Sequence, residues 1–289
     1  TLTYEDVTNV DAVGLITARN GIVVGSGITL SKDGDGFFTG IVTATTYKGT
    51  FSGSVSSSDD ATINSVTVGR GANSVTGNTV LGQNALDASV TGANNTAIGK
   101  ESLSDNTSGH SNTGVGLQSL KDNTTGTYNT GIGNQALDVN TTGDHNTAVG
   151  SDALGGNSTG SENVAVGSLA LDANTTASYN TAVGYNAMGA NTTGAQNTAV
   201  GQNSLQTNTT GNYNTAVGQA ALKDNTASNN TAVGMKALFE NSTGSNNSAV
   251  GYNALLNNTT GANNVAVGYG ALDANTTAAE NTAVGALSL

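Results

Sequence analysis

The amino-acid sequence predicts an all-β fold, a repetitive parallel β-roll or β-solenoid built from coils of about 17 residues. Three observations carry this. An Asn opens each unit at Asn78, Asn95, Asn112, Asn129, Asn146, Asn163, Asn180, Asn197, Asn214, Asn230, Asn247, Asn264 and Asn281, in steps of 17 residues except for 16 from Asn214 to Asn230. A fixed short period of this kind marks a stack of near-identical units, none able to bury its apolar face alone. Within a unit, apolar residues alternate over short stretches and no heptad runs through them, which excludes a helix. Turn residues then recur at fixed places in almost every unit.

Asn146-Thr147-Ala148-Val149-Gly150, followed by Ala153-Leu154 and Asn157-Ser158-Thr159-Gly160, is a representative unit. Counted from the leading Asn, positions 2 and 4 share one face of a strand, so this mostly β-branched pair is expected inward and the small residue at position 3 outward. The Ala-Leu pair at positions 8 and 9 is expected to form a second, shorter strand, with Leu inward and a flat Ala or Ser beside it. Gly at position 5 ends the first strand and has no exceptions. Asn-Thr-Thr-Gly at positions 12 to 15 is turn chemistry, the Asn offering a local side-chain bond and the Gly a permissive backbone. Ala177 and Ala278 replace that second Gly, so a left-handed backbone is not obligatory there. The Asn columns at positions 1 and 12, the latter broken only by Ser89, are expected to stack coil over coil as amide ladders. The short unit from Asn214 should lose its residue in the turn Asn225-Thr226-Ala227-Ser228-Asn229, because a deletion inside a strand would invert every later side chain. Val217, Leu222 and Val233 would then keep an inward direction.

The regular array covers residues 78–289, and a different, β-rich region covers residues 1–60. There Leu2-Thr3-Tyr4 alternates like a strand, and Gly14-Leu15-Ile16-Thr17-Ala18 is echoed by Gly40-Ile41-Val42-Thr43-Ala44. Asn20-Gly21 is a hairpin signal. Asp33-Gly34-Asp35-Gly36 reads as a turn, since the remaining ligands of a calcium loop are missing. Residues 61–77 read as a joint and a shortened first coil containing Asn64-Ser65-Val66-Thr67-Val68-Gly69.

Composition narrows the function. A net charge of -12, with 8 basic against 20 acidic residues, argues against nucleic acid and anionic membrane surfaces as partners. No apolar run approaches the ~20 residues of a membrane span, so no membrane insertion by this segment is expected. A chain that begins at Thr1, opens on no signal peptide and stops inside a coil at Leu289 reads as a fragment or processed product. Without cysteine there is no disulfide framework. His110 and His145 fall on variable positions 16 and 17 in no Glu-x-x-His or Ser-His-Asp arrangement, so they read as solvated loop residues. The glycines follow the repeat and precede no helix, which excludes a phosphate-binding loop. No catalytic residue, cofactor or metal is expected, and the chain is not read as an enzyme. Asn123-Thr124-Thr125 and its counterparts match a glycosylation acceptor as a by-product of turn chemistry.

With about two large apolar side chains per coil, the aliphatic residue at position 4 and the Leu at position 9, the core of a lone coil looks thin. This favours a parallel homotrimer in which the small residues at position 8 meet another chain.

Val66-Thr67-Val68-Gly69, Asn163-Val164-Ala165-Val166-Gly167 and Asn247-Ser248-Ala249-Val250-Gly251 resemble the head repeats of trimeric autotransporter adhesins of the YadA type. That resemblance implies a left-handed parallel β-roll with three chains side by side; the period here is longer by an extra loop at positions 12 to 15. Tyr4-Glu5-Asp6-Val7-Thr8-Asn9-Val10-Asp11, Gly14-Leu15-Ile16-Thr17-Ala18-Arg19 and Gly40-Ile41-Val42-Thr43-Ala44 resemble tail-fibre proteins of marine bacteriophages, cyanophages in particular. Together these imply a structural and adhesive virion component, a trimeric tail-fibre shaft or head that attaches to a host-surface glycan or protein receptor. The alternative is a bacterial surface adhesin. An ice-binding solenoid, suggested by the Thr columns, ranks below both because position 2 is expected on the same face as the aliphatic residue at position 4. The variable positions carry the candidate receptor contacts: Tyr128, Tyr179 and Tyr213 at position 17, and Tyr185, Tyr252 and Tyr269 at position 6. A tyrosine on a polar surface can stack on a sugar ring while its hydroxyl hydrogen-bonds.

Overall fold

The computed structural model describes residues 60–63, 65–88 and 90–289. The strand, hairpin and turn readings for residues 1–59, the fibre-like motifs among them, and Ser89 lie outside these described residues. Among the described residues, fifteen strands form one sheet whose spatial order follows chain order. β1 (Ala61–Ile63) and β2 (Val66–Gly69) pair antiparallel, and β2 is also antiparallel to β3 (Thr79–Gly82). From β3 onward every pairing is parallel, one strand per coil, as at Thr147↔Val164, Ala148↔Ala165 and Val149↔Val166. The protein is thus a β-solenoid. Where the sequence suggests a shortened first coil, Val66–Gly69 instead folds as a hairpin arm over the first parallel strand and covers its open edge. Asp60 helps fix this arm, its carboxylate accepting from the backbone N–H groups of Arg70 (2.6 Å) and Gly71 (2.5 Å).

The in-out sense of the strand is the reverse of the expected one. Ala148, Ala165, Ala182 and Ala199 at position 3 are fully buried, whereas Val166, Val200 and Val217 at position 4 are each 37% exposed. The cause is the closeness of the opposite wall. A Cβ added to Gly114 would lie 2.5 Å from Ser102 Oγ, and one on Gly131 would lie 2.6 Å from Ser119 Oγ. Those serines, at position 8, donate to Gly114 O (3.0 Å) and Gly131 O (2.8 Å). From the coil of Asn95 onward, positions 3 and 8 therefore face each other across the coil with room only for Gly, Ala or Ser, and the branched side chains turn outward; in the first coil, under the hairpin, Val80 holds position 3 and is 2% exposed. It follows that position 8 is interior, with Ala153, Ala170, Ser119 and Ser204 fully buried, and does not form the outer face predicted to meet another chain.

Leu at position 9 fills the rest of the interior, Leu154, Leu171 and Leu205 all being fully buried as expected. Yet its segment is a turn and not a second strand, because positions 7 and 9 both take left-handed backbone, as in Asp152 (φ 55°) and Leu154 (φ 51°). That conformation costs an L-residue roughly 1–2 kcal/mol. Burying the Leu side chain contributes about 1.5–3 kcal/mol, enough to offset it. The alternation also points successive N–H groups along opposite directions of the stack: Asp152 N–H donates to Asn134 O of the preceding coil (3.0 Å), and Leu154 N–H to Ala170 O of the following one (2.9 Å).

Two amide ladders complete the core. Asn146 N–H donates to Asn129 Oδ1 (2.9 Å), and Asn163 N–H to Asn146 Oδ1 (3.0 Å). In the position 12 column, Asn157 Nδ2 donates to Asn140 Oδ1 (2.9 Å). The columns converge on one acceptor, since Asn146 Nδ2 (2.8 Å) and Asn157 Nδ2 (3.0 Å) both donate to Gly160 O. Apart from Asn208 Oδ1, the buried amides of these two columns are thereby paired, the condition under which a polar core stabilises. Ion pairs add little: among the described residues they join sequence neighbours at the surface, as in Lys121–Asp122.

The invariant Gly at position 5 is explained by two features together. Gly150 has φ 136°, and a Cβ there would lie 2.7 Å from the carbonyl carbon of Gly167 in the next coil, a backbone atom that cannot swing away. The 16-residue unit loses its residue in the turn, as expected: β11 (Thr215–Val217) and β12 (Thr231–Val233) stay paired in register, and Leu222 stays fully buried. Val217 and Val233 point outward, against expectation, at 37% and 38% exposure. The shortened turn breaks one rung, since Asn225 Nδ2 donates to Ala227 O (2.8 Å) and the buried Asn208 Oδ1 is left without a partner.

Candidate functional site

The coil turns the outer face of its strand to solvent. Positions 17, 2, 4 and 6 project from it in that order, because the intervening positions 1 and 3 point into the core. Its middle is a pair of columns: Thr or Val at position 2, with Ser248 once, and Val or Ile at position 4, with Leu81 in the first coil. The valines Val164, Val166, Val200, Val217, Val250, Val265 and Val267 are between 36% and 41% exposed. Apolar side chains repeated in register on every coil make a contiguous stripe, the kind of exposed surface that marks a contact region.

Tyrosines rim this surface on both sides, at the positions read from the sequence. On the position 17 side Tyr128, Tyr179 and Tyr213 are 52%, 58% and 59% exposed. On the position 6 side Tyr185, Tyr252 and Tyr269 are 51%, 39% and 58% exposed. The structure brings some of them together: Tyr252 and Tyr269 lie in adjacent coils with ring centroids 5.4 Å apart and planes 9° from parallel. Tyr185 stands apart from that pair. At position 17, Tyr128 stacks on His145 at 4.9 Å and 6°, and His110 meets the same tyrosine edge-on at 5.2 Å. The two histidines therefore belong to an aromatic cluster with Tyr128. The sequence reads them as solvated loop residues, although the 17-residue step from Tyr128 to His145 carries the signal.

Chemistry elsewhere is sparse. Among the described residues no group of three or more His, Cys, Asp or Glu side chains is placed to hold a metal, and no helix is long and apolar enough to cross a membrane. An open depression lies against His145, Glu162 and Val164. Another lies at the hairpin cap, against Asp60, Thr67, Asn73 and Asp87. Burial pushes the Asp87 carboxyl above the ordinary carboxylate value, against an opposing backbone hydrogen bond. Asp138 and Asp172 are raised in the same way, chiefly by burial, with Asp152 adding like-charge repulsion at Asp172. The glycosylation match at Asn123 falls on a fully buried amide that donates to Asn106 Oδ1 (2.8 Å) and Gly126 O (3.1 Å), so the folded coil keeps it from modification.

No family model, curated protein or solved structure matches the chain. The site is accordingly defined by its own geometry: an outward Thr/Val sheet face between two aromatic rims.

The threonines bear on ice binding. Thr147, Thr181 and Thr198 at position 2 are half-buried on the outward face, which they share with position 4 as expected, and Val164, Ser248 and Val265 interrupt their column. The Thr column of the turn is engaged differently, its hydroxyls donating to carbonyls of the next coil, as from Thr141 Oγ1 to Ser158 O (3.0 Å).

Proposed function

We propose that the chain is a structural and adhesive fibre protein, a phage tail-fibre shaft or head, whose working form is a parallel homotrimer. The observation that carries this is the in-register aliphatic column at position 4, with Ile132, Val166, Val200, Val217, Val233, Val250 and Val267 each between 37% and 41% exposed. A flat apolar stripe running the length of the coil stack suits side-by-side packing of identical chains, since each coil then meets its counterpart. The sheet face replaces position 8 as the surface of association. The fibre-like motifs before residue 60 support the phage over the bacterial adhesin, and both are read from sequence. Light scattering on eluting chromatographic peaks tests the assembly: a mass near three times 28.4 kDa is expected, and a folded species at the mass of one chain at micromolar concentration refutes it. Val200→Lys with Val217→Lys should yield folded single chains.

The outward Thr column favours one second reading. Ice binding needs a flat, exposed, regularly spaced Thr array, which Val164 and Val265 interrupt here, and thermal hysteresis in a dilute solution of the chain decides it: a value indistinguishable from buffer removes that reading.

A further inference from the structure

The position 17 rim holds six side chains at one place in six consecutive coils: Tyr128, His145, Glu162, Tyr179, Gln196 and Tyr213. Their backbones are nearly identical, with φ between 57° and 65°, so all six leave the coil in one direction. We propose that this run is a binding track for one extended, uncharged polysaccharide lying parallel to the stack axis. This deepens the attachment reading and rests on it.

Four features point to that ligand. Left-handed backbone favours Asn, and Asn94, Asn229, Asn246 and Asn263 occupy the same position outside the run. Inside it, bulky aromatics stand where the backbone disfavours them, and such outliers gather where a surface has work to perform. Next, the run carries two chemistries, rings at Tyr128, His145, Tyr179 and Tyr213, and hydrogen-bonding ends at Glu162 and Gln196. A sugar offers both complements, an apolar C–H face for stacking and a girdle of hydroxyls. Spacing is the third: the coils repeat at about the 4.8 Å of a β-ladder, so a ligand extended along the stack meets a fresh position 17 side chain at every coil. Charge is the fourth. Glu162 lies in the middle of the track and the chain carries a net -12, which disfavours an acidic glycan.

The track also has an open floor. The depression against His145, Glu162 and Val164 lies between the Tyr128–His145 stack and Tyr179. Tyr179 and Tyr213 stack on no other ring among the described residues, so their faces are free for a ligand. The position 6 rim is different, because Tyr252 and Tyr269 stack on each other.

Affinity electrophoresis of the full chain through gels containing hydroxyethyl cellulose, konjac glucomannan or alginate tests the proposal. The two neutral polymers should retard the chain and alginate should not, and the retardation should persist at about 0.5 M salt, where ionic retention is screened. Tyr179→Asn with Tyr213→Asn keeps a residue type this backbone accepts and should weaken binding about tenfold or more, through loss of stacking surface. Thr243→Ala with Thr260→Ala, exposed in the turn and outside both rims, should leave it unchanged, and circular dichroism should show both variants folded. Retardation by neither neutral polymer, retention by alginate alone, or equal loss in both variants overturns the track. If the chain nevertheless adsorbs to cells, attachment stands and only the track falls; if it does neither, both fall.

Discussion

Replacing Asn163 with alanine should destabilise the solenoid by about 2–4 kcal/mol, a figure that comes from counting what the substitution orphans. Asn163 Oδ1 accepts from Asn180 N–H (3.0 Å), while its Nδ2 donates to Asn146 Oδ1 (3.1 Å) and Ala177 O (2.9 Å). After truncation Asn146 Oδ1 still accepts from Asn163 N–H, and Ala177 O still accepts from Asn174 Nδ2. Only the buried Asn180 N–H is left bare, at a cost of about 1–3 kcal/mol, and the small void adds roughly another 1 kcal/mol. Asn163→Asp separates the ladder from simple packing. It keeps an acceptor for Asn180 N–H but sets a carboxylate oxygen against Asn146 Oδ1 and Ala177 O, both acceptors. Repulsion and burial should raise its folded pKa above the ~3.9 of an unfolded aspartate. Stability should then be fully present below the unfolded value and be lost as pH rises through the folded one. Urea midpoints followed by circular dichroism, between about pH 4 and pH 8, read both effects, with exposed Thr260→Ala as the reference. An Asn163→Ala midpoint equal to that reference, or an Asn163→Asp midpoint flat with pH, would refute the ladder as a source of cohesion.

Inserting one Thr between Thr226 and Ala227 should restore the turn, give Asn208 Oδ1 its donor and stabilise by ~1–3 kcal/mol; an unchanged or lower melting temperature counts against it. Leu171→Ala should cost about 2–5 kcal/mol as a cavity, while Val200→Ala on the outer face should stay within about 0.5 kcal/mol in chains kept apart by dilution; chemical denaturation compares them. Gly167→Ala should destabilise by ~3 kcal/mol or more, since φ is 131° and the new Cβ would sit 2.6 Å from Gly184 O, whereas Ala177→Gly should be nearly neutral by the same assay. Asp138 and Asp172 have folded pKa values raised by burial, so each contributes stability that is present at low pH and lost as pH rises through the raised value. Asp138→Asn should therefore raise the melting temperature at pH 7 and flatten its rise as pH falls toward the ordinary carboxylate range, and a melting temperature that falls at pH 7 would contradict this.

The period, the first strand, the amide ladders and the site of the deletion were all legible in the sequence because each is local or repeats. The in-out sense was not. Alternation tells that Thr147 and Val149 share a face and Ala148 takes the other, but not which face is inside. Burying the larger pair is the usual inference, and here the gap between opposite walls, set by Ser or Ala at position 8, reverses it. Gly114 and Gly131, each following a coil with Ser at position 8, were the clue. The left-handed backbone at Leu154 was equally hidden, since no local preference favours Leu there and only burial sustains it. The six tyrosines were placed outward from variability alone, but their grouping needed the coil: Tyr128 with His145, Tyr252 with Tyr269.

The ties between coils have a mechanical meaning. The backbone hydrogen bonds outside the strands run to the coil directly before or after, or stay within one coil, so tension applied to the chain must part neighbouring coils one at a time. A 17-residue coil occupies about 4.8 Å of the stack, yet drawn out it spans roughly 55–60 Å, so each coil that lets go lengthens the tether more than tenfold over its folded share. The next coil is left intact and again hydrogen-bonded on its inner side. Such a rod is stiff at small loads and yields by sacrificial steps at large ones, absorbing work at each step while the remainder keeps its shape.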